Sequence, residues 1–371
     1  MNVFRDTDWL LLGSATLISL AGLSSMYNFG VETSFASRQI IWLALGIAVF
    51  FIFSLFDFRF LRRTGVVVAA YGVALFFLSL LFAVGAVFQG ARSWFDVGLF
   101  AIQPADPATL ALIILFAKYF SRRHIEIARI RHIIVSGLYL LPVFLLLFFQ
   151  PDFGSAVIVA ALWVGIVLIA GIPLRHLVLI LGTAALVIAL LWSFGFADYQ
   201  KTRILTFLHP LADISGAGYN AFQSTVAVGS GGILGKGIGY GTQSRLQFLP
   251  EHETDFIFAA YAEEWGFIGT AILLGLFGLL LYRLVENARQ GATNFESLFV
   301  LGVAVLFVVH LVIHVGMNIG LLPVTGITLP FMSYGGSHLI TGYAMLGIVN
   351  AMRRYSRAVH EDERHEMVGV S

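Results

Sequence analysis

Five carboxylates stand close together where an apolar stretch begins. The sequence FLPEHETDFIFAAYAEEWG, residues 248–266, places Glu251, Glu253 and Asp255 at its start and Glu263 and Glu264 within it. An acid at the water boundary of an apolar helix stays ionised at little cost, whereas an acid deeper inside must be paired, protonated or in a wet cavity. Asp255 is the acid at that boundary, so it is the first candidate for chemistry.

Helical spacing separates these acids. Asp255 is expected in the first turn of the helix, with Glu263 about 80° and Glu264 about 180° around the axis from it. Glu264 would also lie about 13 Å further along the helix, which favours a structural role. For Asp255 a structural reading is equally open, since a carboxylate in the first turn complements the helix dipole by roughly 0.3–1 kcal/mol.

The elements that position these residues are membrane helices. Of the 371 residues 58% are hydrophobic and 12% are charged, and the mean hydropathy is +0.88. Soluble domains carry about 25% charged residues, and a β-barrel would show short alternating segments instead. There is no cysteine, which excludes disulfides, iron–sulfur clusters and thiol chemistry. The net charge of +1 gives no indication of nucleic-acid binding.

A bilayer core of about 30 Å requires about 20 helical residues. That length predicts an all-α integral membrane protein with ten spans and a long outer loop between the seventh and eighth. The spans are expected at 9–27, 39–56, 65–88, 104–120, 133–150, 153–171, 175–197, 255–282, 296–319 and 336–352. The first span lacks a basic flank and a cleavage site, so we read it as an anchor rather than a signal peptide.

The basic residues orient these spans. With the N-terminus inside, 16 of the 22 Lys and Arg residues fall on the inner side. The positive-inside rule then predicts that both termini are cytoplasmic and that Asp255 lies at the outer face. The whole chain, 1–371, is expected to be one polytopic domain, with an extracytoplasmic loop at 198–254 and a polar, disordered cytoplasmic tail at 356–371.

Three motifs in the loop and helices resemble known sites without matching them. The stretch VGSGGILGKGIGYG, 228–241, fails the phosphate-loop pattern, and its glycines predict an irregular loop whose backbone approaches something closely. His252–Glu253 is not followed by a second histidine at metal-ligand spacing. His310 and His314 lie four residues apart without an evident third ligand, so packing is the better interpretation.

The stretch NIGLLPVTGITLPFMSYGGS, 318–337, is apolar but interrupted by prolines and glycines. Irregular backbone at membrane depth is tolerated only against protein or a wet cavity. The stretch falls on the same predicted side as Asp255, so the two are expected to share a cavity.

Several separated motifs, in order, resemble the SEDS proteins (shape, elongation, division, sporulation). They are QPDFGS, GSGGILGKG, GTQSRLQFLPEHETDFIFAAYAEEWGFIG and NIGLLPVTGITLPFMSYGGS. The resemblance covers nearly the whole chain, and GTQSRLQFLPE and AEEWGFIG are more similar to the elongation member RodA than to the division member FtsW.

The resemblance implies a glycosyltransferase that polymerises lipid II into glycan strands on the outer face of the cytoplasmic membrane. The essential acid of the family falls at Asp255, where it would act as general base, a role contributing about 10²–10⁴-fold in rate. Pyrophosphate is a good leaving group that needs cations rather than a second acid. The resemblance also implies a class B penicillin-binding protein as partner, beside lipid II, the growing glycan strand and the bilayer.

One position departs from the family pattern. The family commonly carries Gln-Pro-Ser-Glu followed three residues later by Lys, whereas this chain reads Gln103-Pro104-Ala105-Asp106 and then Thr109. Asp106 keeps the negative charge, but Thr109 cannot supply the cation. A charged pair at this position is therefore in question.

The predicted substrate-binding residues are drawn from these motifs and from the outer cations. Arg203 and Lys236 are the preferred pyrophosphate ligands, with Arg92 third, because basic side chains bind phosphate oxygens. Asp152 either serves the site or caps the sixth span. The remaining candidates are Trp94, Asp106, Gln243, Glu251, Thr254 and Ser333. A divalent cation, Mg²⁺ or Mn²⁺, could bridge Asp255 and pyrophosphate, although the sequence shows no ligand cluster.

Two other functions stay open at this point. A transporter that flips lipid-linked precursors would also use charges near broken helices. A scaffold that activates a partner transpeptidase would need no catalytic acid. A boundary acid beside glycine-rich and proline-broken segments favours the enzyme over both.

Overall fold

The computed structural model describes residues 6–27, 34–88, 91–96, 98, 101–122, 129–209 and 218–368. These ranges contain thirteen α-helices and three short strands. In chain order the helices are α1 (Trp9–Met26), α2 (Ser34–Leu55), α3 (Thr64–Val84), α4 (Ala105–Ser121), α5 (Ile130–Phe149), α6 (Phe153–Ile169), α7 (Leu174–Leu190), α8 (Asp198–Leu208), α9 (Tyr219–Ser230), α10 (Thr242–Arg245), α11 (Ile257–Arg289), α12 (Asn294–Asn318) and α13 (Gly336–Val368).

The predicted spans all fall on helices. Within the described ranges, seven helical stretches are long and apolar enough to cross a membrane: Trp9–Met26, Phe35–Leu55, Thr64–Val84, Ile130–Phe149, Arg175–Gly195, Ile257–Arg289 and Asn294–Asn318. The other three spans correspond to the 17-residue helices α4 and α6 and to the first half of α13. The chain is an all-α multi-pass membrane protein, as the sequence predicted.

Three boundaries differ from prediction. Helix α3 ends at Val84 rather than at 88, because the chain turns into a small antiparallel sheet of β1 (Ala86–Phe88), β2 (Ala91–Asp96) and β3 (Ala101–Ile102). Helix α11 begins two residues after Asp255. The tail is helical as far as Val368, since residues 351–368 contain neither glycine nor proline and many strong helix formers.

Helix α12 lies at the centre of the bundle. It packs against α4, α6, α9 and α11, and half of its apolar stretch is buried inside the protein. Helix α13 packs mainly against α2, and α11 against α1 and α12. Helix α7 lies at the edge, with almost all of its side chains exposed. An apolar helix that buries so little against protein is suited to contact with lipid.

One end of the bundle is closed by Asp8, at the start of α1. Its carboxylate caps α1 at the Leu11 amide (3.2 Å) and accepts hydrogen bonds from Arg283 (2.8 Å) and Asn287 (3.0 Å) of α11. Arg353 of α13 lies 3.1 Å from the same carboxylate. We call this the Asp8 end of the bundle; three helices that are distant in sequence meet there.

Two further helices have one terminus at the Asp8 end: α12 begins there and α4 ends there. Arg62, between α2 and α3, donates from Nε to Glu296 in the first turn of α12 at 2.7 Å. Lys118 in the last turn of α4 donates to the Arg62 carbonyl oxygen. The opposite ends of α4 and α12 lead to Asp106 and Asn318, which lie at the Asp255 end of the bundle.

Candidate functional site

Asp255 lies in a tight turn immediately before α11. The Glu251 carbonyl oxygen accepts hydrogen bonds from the Thr254 amide (3.2 Å) and the Phe256 amide (3.1 Å), and Glu251 adopts a φ of 53°. The turn delays the helix to Ile257, so the prediction that Asp255 occupies the first helical turn is wrong by two residues. The carboxylate therefore emerges from the turn rather than from the helix wall.

A buried asparagine fixes this turn from the side. The Asn318 amide nitrogen, at the end of α12, donates to the Asp255 carbonyl oxygen at 3.1 Å and to the His314 carbonyl oxygen at 2.8 Å. Its amide oxygen accepts from the Ala259 amide, one of the first-turn N–H groups of α11, at 3.2 Å. Sequence reasoning missed Asn318, which is fully buried; an asparagine at the end of an apolar span was the available signal.

The broken stretch between α12 and α13 lies directly against the Asp255 turn. Ser333 donates to the Thr254 carbonyl oxygen at 2.8 Å, and the Tyr334 amide donates to the Glu253 carbonyl oxygen at 2.8 Å. Gly326 faces the carboxylate: a Cβ at that residue would lie 3.3 Å from Asp255 Oδ2. The stretch and Asp255 are therefore adjacent, and the cavity that they are expected to share stays a prediction.

Two histidines hold the same stretch from α12. His314 Nδ1 donates to the Ile327 carbonyl oxygen at 2.6 Å, and His310 Nδ1 donates to the Thr328 carbonyl oxygen at 3.0 Å. Both rings are buried, with His314 completely so. They bind consecutive carbonyl oxygens next to Gly326, so the expected packing role becomes a specific anchoring of the backbone that faces Asp255.

The surroundings of Asp255 raise the pKa of its carboxyl group above the ordinary value for an aspartate. Burial raises the pKa of Asp255, the negative charge of Glu251 raises it further, and the positive charge of Arg203 lowers it, giving a pKa of about 6. The expectation that Asp255 stays ionised cheaply is therefore wrong, because protein atoms replace much of the water around the carboxylate. A carboxylate with this pKa is ionised at neutral pH and is a stronger base than an exposed aspartate.

Arg203 is the predicted cation that the structure brings to Asp255. It lies on α8, an exposed helix of the long loop, and its charge acts on the Asp255 carboxylate. Glu251 and Thr254 belong to the same turn, where Thr254 Oγ1 donates to the Glu251 carboxylate at 2.9 Å. Five of the predicted site residues thus converge: Asp255, Arg203, Glu251, Thr254 and Ser333.

Lys236 and Gln243 lie instead around Glu263, which is completely buried in α11. Glu263 accepts hydrogen bonds from Lys236 Nζ (2.6 Å), from the Thr242 amide (2.9 Å) and from the Gln243 amide (3.1 Å). The neighbouring Glu264 accepts from the Gly239 amide at 3.1 Å. Both glutamates therefore organise the loop, and the structural role expected for Glu264 is confirmed.

Asp106 and Asp152 form a polar chain next to the broken stretch. The Gln103 side chain donates from Nε2 to Asp152 at 3.2 Å. Its main-chain N–H donates to Ser337 Oγ at 3.2 Å, and that hydroxyl donates to Asp106 at 3.3 Å. Asp152 also caps α6 by accepting from the Ser155 amide at 3.0 Å. Burial raises the pKa of Asp152 despite these hydrogen bonds. The capping interpretation of Asp152 thus has direct support.

Asp106 has a histidine as its hydrogen-bonding neighbour. His338 Nδ1, in the first turn of α13, lies 3.1 Å from Asp106 Oδ1, and its ring lies 5.1 Å from that of His310. Thr109 bonds its own helix, at the Ala105 carbonyl oxygen. A cavity of about 20 Å³ between α4, α12 and α13 is lined by these residues, enough for about one water molecule. The side chain that pairs with Asp106 is therefore His338, whereas Thr109 bonds its own helix.

Arg92 and Trp94 lie on β2 of the small sheet, where Trp94 pairs with Ala86. The Trp94 side chain is half-buried, and the Arg92 side chain lies outside the described part of the chain. In the described ranges, no group of three or more His, Asp or Glu side chains could hold a metal ion. The predicted divalent cation stays a prediction.

Residues 3–358 match the model of the FtsW, RodA and SpoVE family, described as cell cycle protein. The chain belongs to this family. The SEDS relatives include stage V sporulation protein E of Bacillus subtilis (strain 168), 36% identical with 94% of each chain covered. Peptidoglycan glycosyltransferase MrdB of Escherichia coli (strain K12), a RodA, is 35% identical, with 96% of this chain and 95% of MrdB covered.

The SEDS fold is shared with a solved structure. A chain from "Structural coordination of polymerization and crosslinking by a peptidoglycan synthase complex" superimposes with a TM-score of 0.80 at 34% identity, covering 94% of this chain and 98% of that one. The likeness covers nearly the whole chain, so the bundle of helices is a shared architecture.

Proposed function

We propose that this chain is a peptidoglycan glycosyltransferase that polymerises lipid II, with Asp255 as general base. The observation that carries the proposal is the setting of Asp255: a carboxylate with a pKa of about 6 between Gly326 of the broken stretch and the positive charge of Arg203. The names of MrdB and of the synthase complex support the reaction class.

The reaction needs one base and one cationic site. The 4-hydroxyl of one lipid-linked sugar attacks the anomeric carbon of another, a C–O bond forms, and the bond from that carbon to pyrophosphate breaks. The hydroxyl proton passes to the Asp255 carboxylate, and the pyrophosphate leaves with both bonding electrons. Arg203 is suited to bind those phosphate oxygens, because its guanidinium can contact two at once. The charge of Lys236 is already neutralised by Glu263 at 2.6 Å, which favours Arg203 over Lys236.

The pKa of Asp255 suits this role. A general base works best when its pKa lies near the working pH, so that it is deprotonated and still basic. An exposed aspartate, with a pKa of about 3.9, would be a weaker base. The burial provided by the broken stretch and the turn therefore serves the chemistry directly.

Location and partners complete the proposal. The distribution of basic residues supports the cytoplasmic membrane, with both termini cytoplasmic and the site at the outer face. A class B penicillin-binding protein is the proposed partner, supported by the likeness to a chain of a synthase complex for polymerisation and crosslinking. If a Mg²⁺ or Mn²⁺ ion takes part, we propose that Asp255 and pyrophosphate share it.

The test compares the purified wild-type protein with Asp255→Asn in a gel assay of glycan strands made from labelled lipid II. Strands from the wild type and none from the variant are expected, with equal thermal stability. Equal strand formation by both would remove Asp255 as the base. A failure of both to make strands, with flipping of labelled lipid II across vesicles, would favour the transporter instead.

A further inference from the structure

A second feature of the long loop is its contact with a break in α11. At Gly266 the helix departs from helical geometry, with φ 64° and ψ −164°, values that a side chain would strain. The segment 231–240, which follows α9, lies against this break. A Cβ at Gly235 would come within 2.1 Å of the Glu264 carbonyl oxygen, so the approach requires glycine.

The segment satisfies the backbone groups that the break leaves free. The Phe267 amide donates to the Gly232 carbonyl oxygen (2.9 Å), and the Ile268 amide donates to the Ile233 carbonyl oxygen (3.2 Å). In the other direction the Lys236 amide donates to the Glu263 carbonyl oxygen at 3.0 Å. Non-helical backbone persists at membrane depth only when its polar groups are paired in this way.

Side chains of the 231–240 segment are sorted opposite to those of a water-facing loop. Its charged group, Lys236, has a side chain that is 29% exposed and is neutralised by the completely buried Glu263 at 2.6 Å. Its large apolar groups are far more exposed: Ile233 is 69% exposed, Leu234 79% and Tyr240 67%. A loop that pairs its charge with a buried carboxylate and presents aliphatic side chains is matched to an apolar environment rather than to water.

The outward face continues the lipid-facing surface of α11. Phe267 is 71% exposed and Ile272 is 59% exposed on that membrane-spanning helix, and the backbone of Phe267 is bonded directly to the segment. Arg283, held by Asp8 at the opposite end, is sixteen positions from Phe267, or about 24 Å along the helix. Because the hydrocarbon core is about 30 Å thick, Phe267 falls inside it.

We propose that the 231–240 segment is a re-entrant piece of the loop that inserts into the bilayer at the Asp255 end, with Ile233 and Leu234 in contact with lipid acyl chains. The inference rests on membrane insertion of the bundle and is independent of the proposed glycosyltransferase activity. It refines the expectation that 198–254 lies wholly outside the membrane. The alternative, coverage of these side chains by a partner protein, is distinguished by the experiment below.

The absence of cysteine makes a direct test available, because a single introduced cysteine is the only labelling site. Leu234→Cys carries a nitroxide spin label in the purified full-length protein, reconstituted in liposomes without any partner. Power-saturation electron paramagnetic resonance then compares accessibility to oxygen, which concentrates in lipid, with accessibility to a water-soluble nickel chelate. Phe267→Cys is the lipid-facing reference, and Arg245→Cys, an exposed polar position of the same loop, is the water-facing reference.

The expected result is an oxygen-to-nickel accessibility ratio at residue 234 that matches residue 267 and exceeds residue 245 several-fold. The same order is expected for Ile233→Cys, which guards against a local effect of one label. A ratio at 233 and 234 equal to that at 245 would overturn the proposal and would indicate a surface left for a protein partner. All of these variants replace exposed side chains, so thermal stability close to that of the wild type verifies the fold.

Discussion

The Asn318 side chain donates a hydrogen bond of 3.1 Å to the main-chain carbonyl oxygen of Asp255, 63 residues earlier in the chain. This contact joins the end of α12 to the turn that carries the carboxylate. Since Asn318 also accepts from Ala259 at 3.2 Å, one side chain sets both the turn and the start of α11. The position of the proposed base thus depends on a helix that contributes no group to the reaction.

Replacement of Asn318 by Ala is therefore expected to reduce strand formation at least tenfold and to lower stability by about 1–3 kcal/mol, because buried backbone groups lose their partner. Glycan gels and thermal unfolding measure the two effects. Asn350→Ala is the matched control: Asn350 donates to Ser54 Oγ at 3.1 Å and accepts from the Asp8 amide, at the opposite end. A similar loss of stability with unchanged activity per folded molecule is expected there. Equal activity losses in both would show that Asn318 acts only through stability.

The pH dependence of polymerisation should follow the ionisation of Asp255. The deprotonated form is the active base, so the rate rises with pH through about 6 and levels off above it. Well below that value it falls by about tenfold per pH unit. Single-turnover rates of strand elongation between pH 4.5 and 8 measure the midpoint. A midpoint near pH 4 would contradict the buried setting of the carboxylate.

Arg203→Ala should move that midpoint upward, since the positive charge of Arg203 lowers the pKa of Asp255. The rate at neutral pH should also fall, by about tenfold or more if Arg203 binds pyrophosphate. Arg203→Lys keeps the charge and should hold the midpoint. Arg245→Ala, which removes another exposed cation of the loop, is the control and should leave the profile unchanged. A rate loss without a midpoint shift would separate phosphate binding from the electrostatic effect.

Lys236 and Glu263 should behave as a structural pair. Lys236→Met leaves the completely buried Glu263 without its cation and should cost about 3–5 kcal/mol. The double variant Lys236→Met/Glu263→Gln should recover part of that loss, because no unpaired charge remains. Thermal unfolding in detergent measures both. Full stability of the single variant, together with loss of polymerisation, would restore Lys236 as a substrate ligand.

Asp8→Asn should destabilise the opposite end of the bundle without moving the pH midpoint of catalysis. Burial alone would raise the pKa of Asp8, but hydrogen bonds from Arg283 and Asn287 and the charges of Arg353 and Arg283 lower it overall. A depressed pKa means that the ion pair contributes stability above about pH 4, and that the contribution is lost as the pH falls through the lower folded value. Thermal unfolding at pH 7 should show a loss of about 3 kcal/mol, which narrows on acidification. A constant difference between pH 3 and 7 would contradict this account.

The sequence predicted those features that depend on local pattern. Span positions follow from apolar length, and the adjacency of residues 318–337 to Asp255 follows from the rule that broken backbone needs protein beside it. The glycines of 228–241 predicted a close backbone approach, which the contact of Gly235 with α11 confirms. Family membership followed from ordered motifs along the chain.

The pairing of polar side chains within the fold could not be predicted, because each pair joins residues far apart in the sequence. Asp106 and His338 are 232 positions apart, and nothing in either neighbourhood indicates the other. The sequence favoured Lys236 as a phosphate ligand, whereas in the structure its ammonium group lies 2.6 Å from Glu263. The low cost of ionising Asp255 was predicted wrongly for the same reason: the burial that raises its pKa comes in part from Gly326, 71 positions away along the chain.

The interaction at Asp8 has a consequence for biosynthesis. Asp8 leaves the ribosome before both of its arginine partners: Arg283 follows 275 positions later, and Arg353 follows later still. At synthesis rates of about 5–20 residues per second, roughly 14–55 s pass between the synthesis of Asp8 and that of Arg283. Helix α1 can therefore take its final place only after residue 353 has been synthesised, and a chain terminated before Arg283 would lack the residues that secure it.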